Sequence, residues 1–579
     1  MALAPHRPPA LGPVEGLITL AHRLQNRLQT WRGQRRSSPG WTVLVALIVT
    51  IMLLPVATVI LLAFGTSPHA LAHLARTILP DALAQTLVLM TGVGALTLLM
   101  GTGTAWIVTM YRFPGRGLVD RLLVVPLAVP TYIVAYAYVE LLDFTGPVQS
   151  ALRALMGFKT VRDYWFPEVR STAGAILILA SVLYPYVYLA ARASFVQQSV
   201  CALEVARTLG RTQFGAFISV ALPLARPGLV AGVTLALMEC LNDLGAVQYL
   251  GVRTLSASIY TTWLQRSNLA GAAQIAGVLL LVVTALSIAE HRARGGGQFH
   301  HTTGRYRSIP FAILTGWRGL TALVVTALPF VAGFLLPFAI LVHNATQHAG
   351  LALATGFWRA AGNSVLLASI TALAAVGLGL MLAYARRVAA NGFTRPAVRV
   401  AGLGYALPGT VLALGLLIPL AAFDNRVDAI ARSVFGKSTG LILSGTVFAL
   451  VLAYTIRFLA VALGALEAGL GRISPNLDAA ARTLGETALS ALWRVHLPLL
   501  LPALGTAGLL VFVDAMKELP ATLLLRPFNF ETLATHVYGF AALEQPEAAS
   551  VGALAIVLVG LLPVLLLHRA VAEGRAGSQ

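Results

Sequence analysis

Residues Ala206–Pro227 read ARTLGRTQFGAFISVALPLARP, and 275 positions later residues Ala481–Pro502 read ARTLGETALSALWRVHLPLLLP. Twelve of the 22 aligned positions are identical without a gap. Two further matches lie upstream at an offset of 278; they pair Gln85-Thr86 with Asn363-Ser364, and Leu127–Pro130 with Tyr405–Pro408. Self-similarity at a fixed offset indicates an internal repeat. The 579-residue chain therefore contains one structural unit twice.

The copied segment is more polar than its surroundings. We expect it to fold as a helix, a turn, a second helix and then the start of an apolar span. Glycine is costly inside a helix but suits a point where one helix turns into another, which predicts the turn at Gly210. Proline suits the first turn of a helix, where its missing N–H would be unpaired anyway, so Pro223 predicts a helix start. Two such elements on one face indicate a partner surface; the alternative is two interfacial helices without a partner.

The composition excludes a water-soluble enzyme. Hydrophobic residues make up 57% of the chain, charged residues only 11%, and the mean hydropathy is +0.79, whereas soluble domains carry about 25% charged residues. A membrane-spanning helix needs about 20 mostly apolar residues. Twelve runs meet this requirement: 41–64, 83–110, 121–144, 171–196, 220–250 and 270–290, then 319–343, 361–388, 396–422, 440–467, 497–525 and 548–570. The predicted fold is an all-α polytopic membrane protein with two parallel-duplicated six-helix halves.

The distribution of basic residues predicts the orientation. With the N-terminus in the cytoplasm, 27 Lys and Arg residues lie inside, 12 lie outside, and Arg457 and Lys517 lie within spans. This bias follows the positive-inside rule, places both termini in the cytoplasm, and explains the net charge of +19 without nucleic acid. The predicted domains are a cytoplasmic tail (1–40), a first transmembrane domain (41–290), a cytoplasmic linker (291–318), a second domain (319–570) and a short cytoplasmic tail (571–579). The first tail is predicted to be a basic amphipathic helix on the lipid surface; a disordered basic tail is the alternative.

Four acidic residues at the ends of the fifth spans are candidates for a pathway or gate. Glu239 and Asp243 align with Asp514 and Glu518 at the offset of 275. Each pair is spaced i, i+4, which predicts that both acids lie on one face of their helix. Their distance along the helix predicts a position towards the outer side of the membrane. Charges at membrane depth usually face an interior or a water-filled path. The alternative is a structural role, with Lys517 neutralising the adjacent acids.

The chain shows no firm metal site. Its two cysteines, Cys201 and Cys240, cannot form a disulfide framework and are not in a metal-ligand spacing. The segment Ala431–Ser438 approaches a phosphate-binding loop but lacks its first glycine and lies on the predicted external side. The chain is therefore expected to hydrolyse no ATP and to hold no cofactor of its own.

The repeated segment resembles the cytoplasmic EAA loop of ABC-importer permeases. The first copy fits the motif at Glu204, Ala206, Gly210 and Pro223, and the second at Ala481, Gly485 and Pro498. At the acidic position the second copy has Ala479, with Asp478 one residue earlier. The resemblance implies coupling loops at about 199–222 and 473–497 that dock on the ATPase, with Arg207 and Arg482 among their residues. It also implies the type I importer fold, two copies of a separate ATPase that bind ATP and Mg, and a periplasmic binding protein.

Further stretches are similar to one branch, the fused two-domain ferric-iron permeases. These are Tyr164–Glu168, Leu183–Tyr188, Glu239–Gln248, Lys517–Thr522, Arg526–Phe530 and Leu533–Thr535. The resemblance runs from about 41 to 570 and implies a permease subunit in the bacterial inner membrane that imports ferric iron. Oxygen ligands suit this hard cation. Alternatives are the same importer class with thiamine, phosphonate or another anion as cargo, an ion-coupled secondary transporter whose membrane acids carry protons, and a membrane scaffold.

Overall fold

The computed structural model describes residues 39–65, 68–197, 206, 208–294, 312–353 and 355–573. Most of the predicted amphipathic tail, residues 295–311 of the linker and residues 574–579 lie outside these ranges. So do two predicted coupling-loop residues, Glu204 and Arg207.

The described part of the first half is built from helices. They are α1 Pro39–Phe64, α2 Pro68–Thr77, α3 Leu79–Met110, α4 Arg116–Leu122, α5 Thr131–Leu142, α6 Pro147–Met156, α7 Thr172–Gln197, α8 Gln213–Ala216, α9 Leu222–Asn242, α10 Gly245–Tyr249, α11 Leu255–Tyr260 and α12 Leu269–Arg294. A short parallel pairing joins β1 (Tyr111–Arg112) to β2 (Ala312–Ile313).

The described part of the second half is also built from helices. Its helices are α13 Gly316–Phe330, α14 Leu336–Gln347, α15 Thr355–Val388, α16 Thr394–Ala401, α17 Gly409–Phe435, α18 Val447–Gly471, α19 Pro475–Thr483, α20 Ala488–Ala491, α21 Leu497–Met516, α22 Pro520–Leu525, α23 Leu533–Ala542 and α24 Pro546–Glu573. Short 3-10 turns at Val125–Ala128 and Gly402–Ala406 precede α5 and α17.

Eleven helices of the described chain are long and apolar enough to cross a membrane, and one bent pair raises the number to twelve. The chain is thus the predicted all-α, multi-pass membrane protein. The straight span predicted at 121–144 is wrong, because Arg116–Ala128 and Thr131–Met156 meet at 97°. Pro130 causes the break, since a proline disfavours helical backbone in the residue before it, and Val129 is extended.

Other predicted spans have the right location and wrong ends. The run predicted at 396–422 divides into α16 and α17, and the new helix starts just after Pro408, the repeat equivalent of Pro130. The runs predicted at 220–250 and 497–525 end early, at Asn242 and Met516. Hydrophobicity alone continues across these breaks, so composition could not locate them.

A π-helical turn joins each short helix of the repeated segment to its span. These turns are Phe217–Ala221 and Leu492–His496, and both are followed by a Leu-Pro pair. The expected helix start at Pro223 is therefore wrong in detail, because the helix is continuous from Gln213 to Asn242. A π turn shifts the hydrogen-bond ladder and accommodates a proline that cannot donate.

The two copies also share a polar contact at the start of their second spans. Thr86 Oγ1 accepts a hydrogen bond from the backbone N–H of Leu255 at 2.9 Å. In the second half Ser364 Oγ accepts one from the N–H of Leu533 at 2.7 Å. Both residues of each contact are related by the offset of 278, so the repeat extends to individual hydrogen bonds.

By packing, the chain divides into two compact units, neither of which is a sequence half. The smaller unit comprises Met1–Leu53, Val376–Gly404 and Leu459–Ala507. The larger comprises Leu54–Ala375, Tyr405–Phe458 and Gly508–Gln579. The apolar core of the larger unit includes the buried rings of Tyr184, Tyr188 and Phe195.

Candidate functional site

All four predicted acids line one cavity of about 90 Å³ in the larger unit. Glu239, Asp243, Asp514 and Glu518 share its walls with the cations Arg457 and Lys517. Tyr132, Tyr186 and Tyr405 add phenolic oxygens. Four carboxylates against two cations leave a surplus of two formal negative charges around the cavity.

The second acid of each pair lies beyond the end of its span. Asp243 follows the last residue of α9, and Glu518 follows the end of α21. The prediction that each pair occupies one helix face is therefore wrong, although both members of each pair reach the same cavity. The early helix ends turn the chain and place Asp243 and Glu518 at the starts of α10 and α22.

In these positions both acids accept hydrogen bonds from backbone N–H groups. Asp243 Oδ1 accepts from Ala246 at 2.8 Å, and its other oxygen accepts from the Thr131 hydroxyl. Glu518 Oε1 accepts from the equivalent N–H of Ala521 at 3.2 Å. Helix N-termini carry unpaired N–H groups and a positive partial charge, so a carboxylate is stabilised there.

Arg457 of α18 connects the ends of the two fifth spans. Its Nη1 donates to Glu518 Oε1 and to Asn242 Oδ1, each at 2.8 Å. The Arg457 side chain is 6% exposed and that of Glu518 2%. The Arg457 Nε has no hydrogen-bond partner within the described residues. The pair is thus a buried ion pair that also binds the first half through Asn242.

The remaining acids of the cavity have different partners. Asp514 forms an ion pair with Lys517 at 3.0 Å, as the alternative structural reading of the sequence expected. Glu239 accepts a hydrogen bond from the Tyr405 hydroxyl. Lys517 therefore compensates Asp514, and the cation of Glu518 is Arg457.

Gly409 is held so closely against this network that only glycine fits. A Cβ there would lie 2.7 Å from Glu518 Oε1 and 3.0 Å from the Ala521 nitrogen. We expect Gly409→Ala to lower the free energy of unfolding by about 1–3 kcal/mol, because the ion pair must shift. Thermal unfolding of the purified chain measures this.

The matched control is Gly362→Ala, since a Cβ at Gly362 in α15 would meet nothing within 4 Å. We expect this change to be neutral or stabilising, because alanine favours helix over glycine. Equal losses in both variants would contradict the steric explanation.

Arg387 and Asp478 hold the second copy of the repeated loop within the smaller unit. Asp478 forms an ion pair with Arg387 at 2.7 Å and contacts His496 Nε2 at 2.7 Å. Arg387 also donates to the backbone carbonyls of Leu470 and Ile473 at 2.7 and 2.9 Å. The acid at this loop therefore positions the loop itself.

The turns of the two loops match closely. Gly210 and Gly485 have φ of +83° and +82°, the left-handed conformation that favours glycine. In each copy the residue after the glycine donates its N–H to the buried alanine of the motif, from Arg211 to Ala206 and from Glu486 to Ala481, both at 3.0 Å. The predicted turns at the two glycines are confirmed.

The surfaces around both turns are exposed and partly apolar. Leu209 is 77% exposed and its repeat equivalent Leu484 is 83% exposed. Arg482, Pro223 and Pro498 are also exposed. Each copy therefore offers apolar side chains on a turn with a defined backbone.

Arg387 is expected to contribute more to the stability of the protein than its neighbour Arg386. Arg387→Gln should lower the free energy of unfolding by about 2 kcal/mol, because it removes a largely buried ion pair and its charge-assisted hydrogen bonds. Hydrogen exchange of α19 amides should accelerate. Arg386→Gln, which breaks the more exposed pair with Glu467, should cost less than about 1 kcal/mol. Unchanged exchange in α19 would show that Arg387 does not hold the loop.

The cavity also contains four residues that the sequence did not place there: Arg457, Asn242, Tyr405 and Tyr186. The available signal was Arg457, a lone arginine inside an apolar run, because charges in such runs usually mark a functional site. The described residues contain no cluster of three or more His, Cys, Asp or Glu side chains that could hold a metal ion.

Comparison with known proteins finds similarity to permease subunits of transport systems. Residues 97–292 match the family described as binding-protein-dependent transport system inner membrane component. The chain is 26% identical over 542 residues to the Fe(3+)-transport system permease protein FbpB 2 of Haemophilus influenzae, covering 92% of this chain and 99% of the relative. It is 25% identical over 566 residues to the probable ABC transporter permease protein y4fN of Sinorhizobium fredii, covering 93% and 95%. The molybdenum transport system permease protein ModB of Escherichia coli is 28% identical over 197 residues, 33% of this chain and 82% of the relative.

Proposed function

Because this chain belongs to the binding-protein-dependent importer permeases, we propose that it forms the translocation pathway of an ATP-driven importer for ferric iron. The observation that carries the cargo assignment is the cavity, where four carboxylates outnumber two cations. A surplus of oxygen-bearing acids and phenols suits a hard cation. The similarity to a ferric-iron permease over 92% of the chain supports the same cargo.

The cavity is suited to transit more than to storage. Asp243 and Glu518 are already engaged by backbone N–H groups, and Glu518 also by Arg457. Their remaining capacity to bind a cation is therefore limited. A permease must release its cargo, so weak and shared ligands fit this role better than a closed metal site.

The coupling loops form the contact with the ATPase subunits. One ATPase subunit docks at each loop, where Leu209 and Leu484 lie exposed on equivalent turns. ATP and Mg bind to those subunits, and a periplasmic binding protein delivers iron to the opposite face. Both termini and both loops are cytoplasmic in this arrangement. Closure of the ATPases moves the loops together and opens the outer gate by a rigid-body movement.

Uptake of labelled ferric iron in iron-starved cells tests this proposal. A deletion strain without a second iron system should lose uptake, and the intact gene should restore it. A strain with Gly210→Pro and Gly485→Pro should express the permease but stay without uptake, because the left-handed turns cannot form. The control is Gly436→Pro, at another left-handed glycine that lies outside the loops and donates its N–H to the carbonyl of Arg432.

The outcomes separate cargo from coupling. Unchanged iron uptake in the deletion strain would remove iron as the cargo, and uptake of thiamine, phosphonate and molybdate would then be compared. Normal uptake in the double glycine variant would contradict the coupling role of the turns. Loss of uptake in the Gly436→Pro strain would show that the assay reports general misfolding.

A further inference from the structure

The larger unit carries a deep apolar groove that the transport proposal does not use. It has a volume of about 1140 Å³ and is formed by α3, by α8 and α9 with the π turn between them, and by α12. Leu98 and Leu99 of α3, Val233 and Leu237 of α9 and Leu286 of α12 are among its apolar residues. In a membrane, an apolar groove is more stable when an apolar chain fills it than when it holds water.

The depth of the groove matches one leaflet of a bilayer. On α9 the lining runs from Leu222 to Leu237 and on α3 from Ala95 to Ile107. At 1.5 Å per residue these stretches are about 23 and 18 Å long. One leaflet of a bilayer, with its head groups, is about 20–22 Å thick. The groove therefore extends from one membrane surface to roughly the midplane.

Contacts between α3 and the helix formed by α8 and α9 identify the two ends of the groove. Trp106 near the end of α3 contacts Phe217, with ring centroids 4.7 Å apart. At the other end, a Cβ on Gly94 of α3 would lie 3.4 Å from Leu237. Trp106 and Phe217 thus mark the surface end, where tryptophan is typically found in membrane proteins. Arg226 follows Phe217 by nine residues in the same helix, and its long side chain extends from there back towards the N-terminal, surface end.

The charges at the surface end favour an anion. Arg226 is exposed, lines the groove and forms no ion pair with any residue that the structure describes. The other charged residue of the lining, Glu290, is paired with Arg294. One turn deeper than Trp106 lies Thr102, whose hydroxyl is buried and has no hydrogen-bond partner within the described chain. A cationic side chain beside an apolar slot that runs on to Leu237 matches the anionic head group and the acyl chain of a phospholipid.

We propose that this groove binds one anionic phospholipid, with its phosphate at Arg226 and an acyl chain between α3 and α9. Basic pockets between transmembrane helices on the cytoplasmic side are suited to anionic head groups. The assignment to the cytoplasmic leaflet rests on the orientation proposed above. The lipid site itself is independent of the cargo.

Photo-crosslinking in nanodiscs tests the site with the full chain. The nanodiscs contain phosphatidylcholine and a trace of either phosphatidylglycerol or phosphatidylcholine with a photoactivatable acyl chain, and mass spectrometry locates the adducts. We expect the phosphatidylglycerol probe to label residues 95–107 at least fivefold more than the phosphatidylcholine probe. Arg226→Gln should reduce this labelling about fivefold, the effect of one basic residue near the surface.

A glycine in the groove provides the blocking variant. A Cβ on Gly103 would meet nothing within 4 Å, and Gly103 lines the groove, so Gly103→Trp should place its side chain in the groove. Labelling of 95–107 should then fall to background. The matched control is Gly464→Trp, at an exposed glycine of α18 that also has open space around it; in this variant the labelling of 95–107 should stay unchanged.

The labelling results distinguish a specific lipid site from ordinary annular lipid. Equal labelling by both probes, or labelling that survives Gly103→Trp, would overturn the site and indicate ordinary annular lipid. If Gly103→Trp lowers thermal stability, Arg226→Gln with intact folding still tests the head position. Iron uptake is not part of the readout, so failure of the cargo proposal leaves the labelling pattern unaffected.

Discussion

Replacing Arg457 with methionine is expected to lower the free energy of unfolding by about 3–5 kcal/mol. The substitution leaves the Glu518 carboxylate, 2% exposed, without its cation, and breaking a buried ion pair on one side carries a cost of this size. It also removes a hydrogen bond to Asn242. Thermal and chemical unfolding of the purified chain in micelles measures the change.

The double variant Arg457→Met with Glu518→Met separates the ion pair from simple packing. Two apolar side chains of similar length leave no unpaired charge, so most of the lost stability should return. If the double variant is as unstable as the sum of the single variants, the two residues are not coupled. The exposed pair of Arg526 and Glu531 serves as the control, and Arg526→Met should cost less than about 1 kcal/mol.

Replacing Glu239 with glutamine is expected to reduce uptake of ferric iron about tenfold or more while the protein still folds. Glutamine retains an oxygen that can accept from the Tyr405 hydroxyl. The cavity loses one of its four carboxylates. At an effective dielectric constant near 20, a carboxylate at about 6 Å from the cargo contributes roughly 3 kcal/mol for each unit of the cargo's positive charge. Labelled-iron uptake normalised to permease in the membrane is the measurement.

An acid outside the cavity provides the matched comparison. Glu140 accepts hydrogen bonds from the side-chain amide of Asn344, at 2.6 and 2.8 Å, and does not line the cavity. Glu140→Gln removes the same charge by the same substitution, so it should leave uptake within about twofold of the unchanged protein. Equal losses in the Glu140 and Glu239 variants would mean that the charge of the cavity does not determine uptake.

Reasoning from the sequence located the helices well and their ends poorly. Spans such as Leu79–Met110 and Thr355–Val388 follow directly from long apolar runs. The bend at Pro130 and the breaks after Asn242 and Met516 were missed. In each case the apolar composition continues across the break, while the backbone direction depends on a proline or on a polar side chain that finds its partner only in the folded chain.

The sequence predicted which four acids lie together, but it did not predict how they are held. The offset of 275 identified the four acids, and all four line the cavity. The assumption of one continuous helix implied paired acids on one face. The structure instead uses Asp243 and Glu518 as acceptors at the starts of α10 and α22.

The sequence by itself determined that this protein is a duplicated multi-pass membrane protein with two matching glycine turns. Hydrophobic runs and repeats are properties of the chain that hold before folding. Only the tertiary structure decided that Arg457 binds both Glu518, 61 positions away, and Asn242, 215 positions away. Such pairing depends on which helices pack together around a buried charge, because a charge removed from water takes whichever partner the packing brings within hydrogen-bond distance.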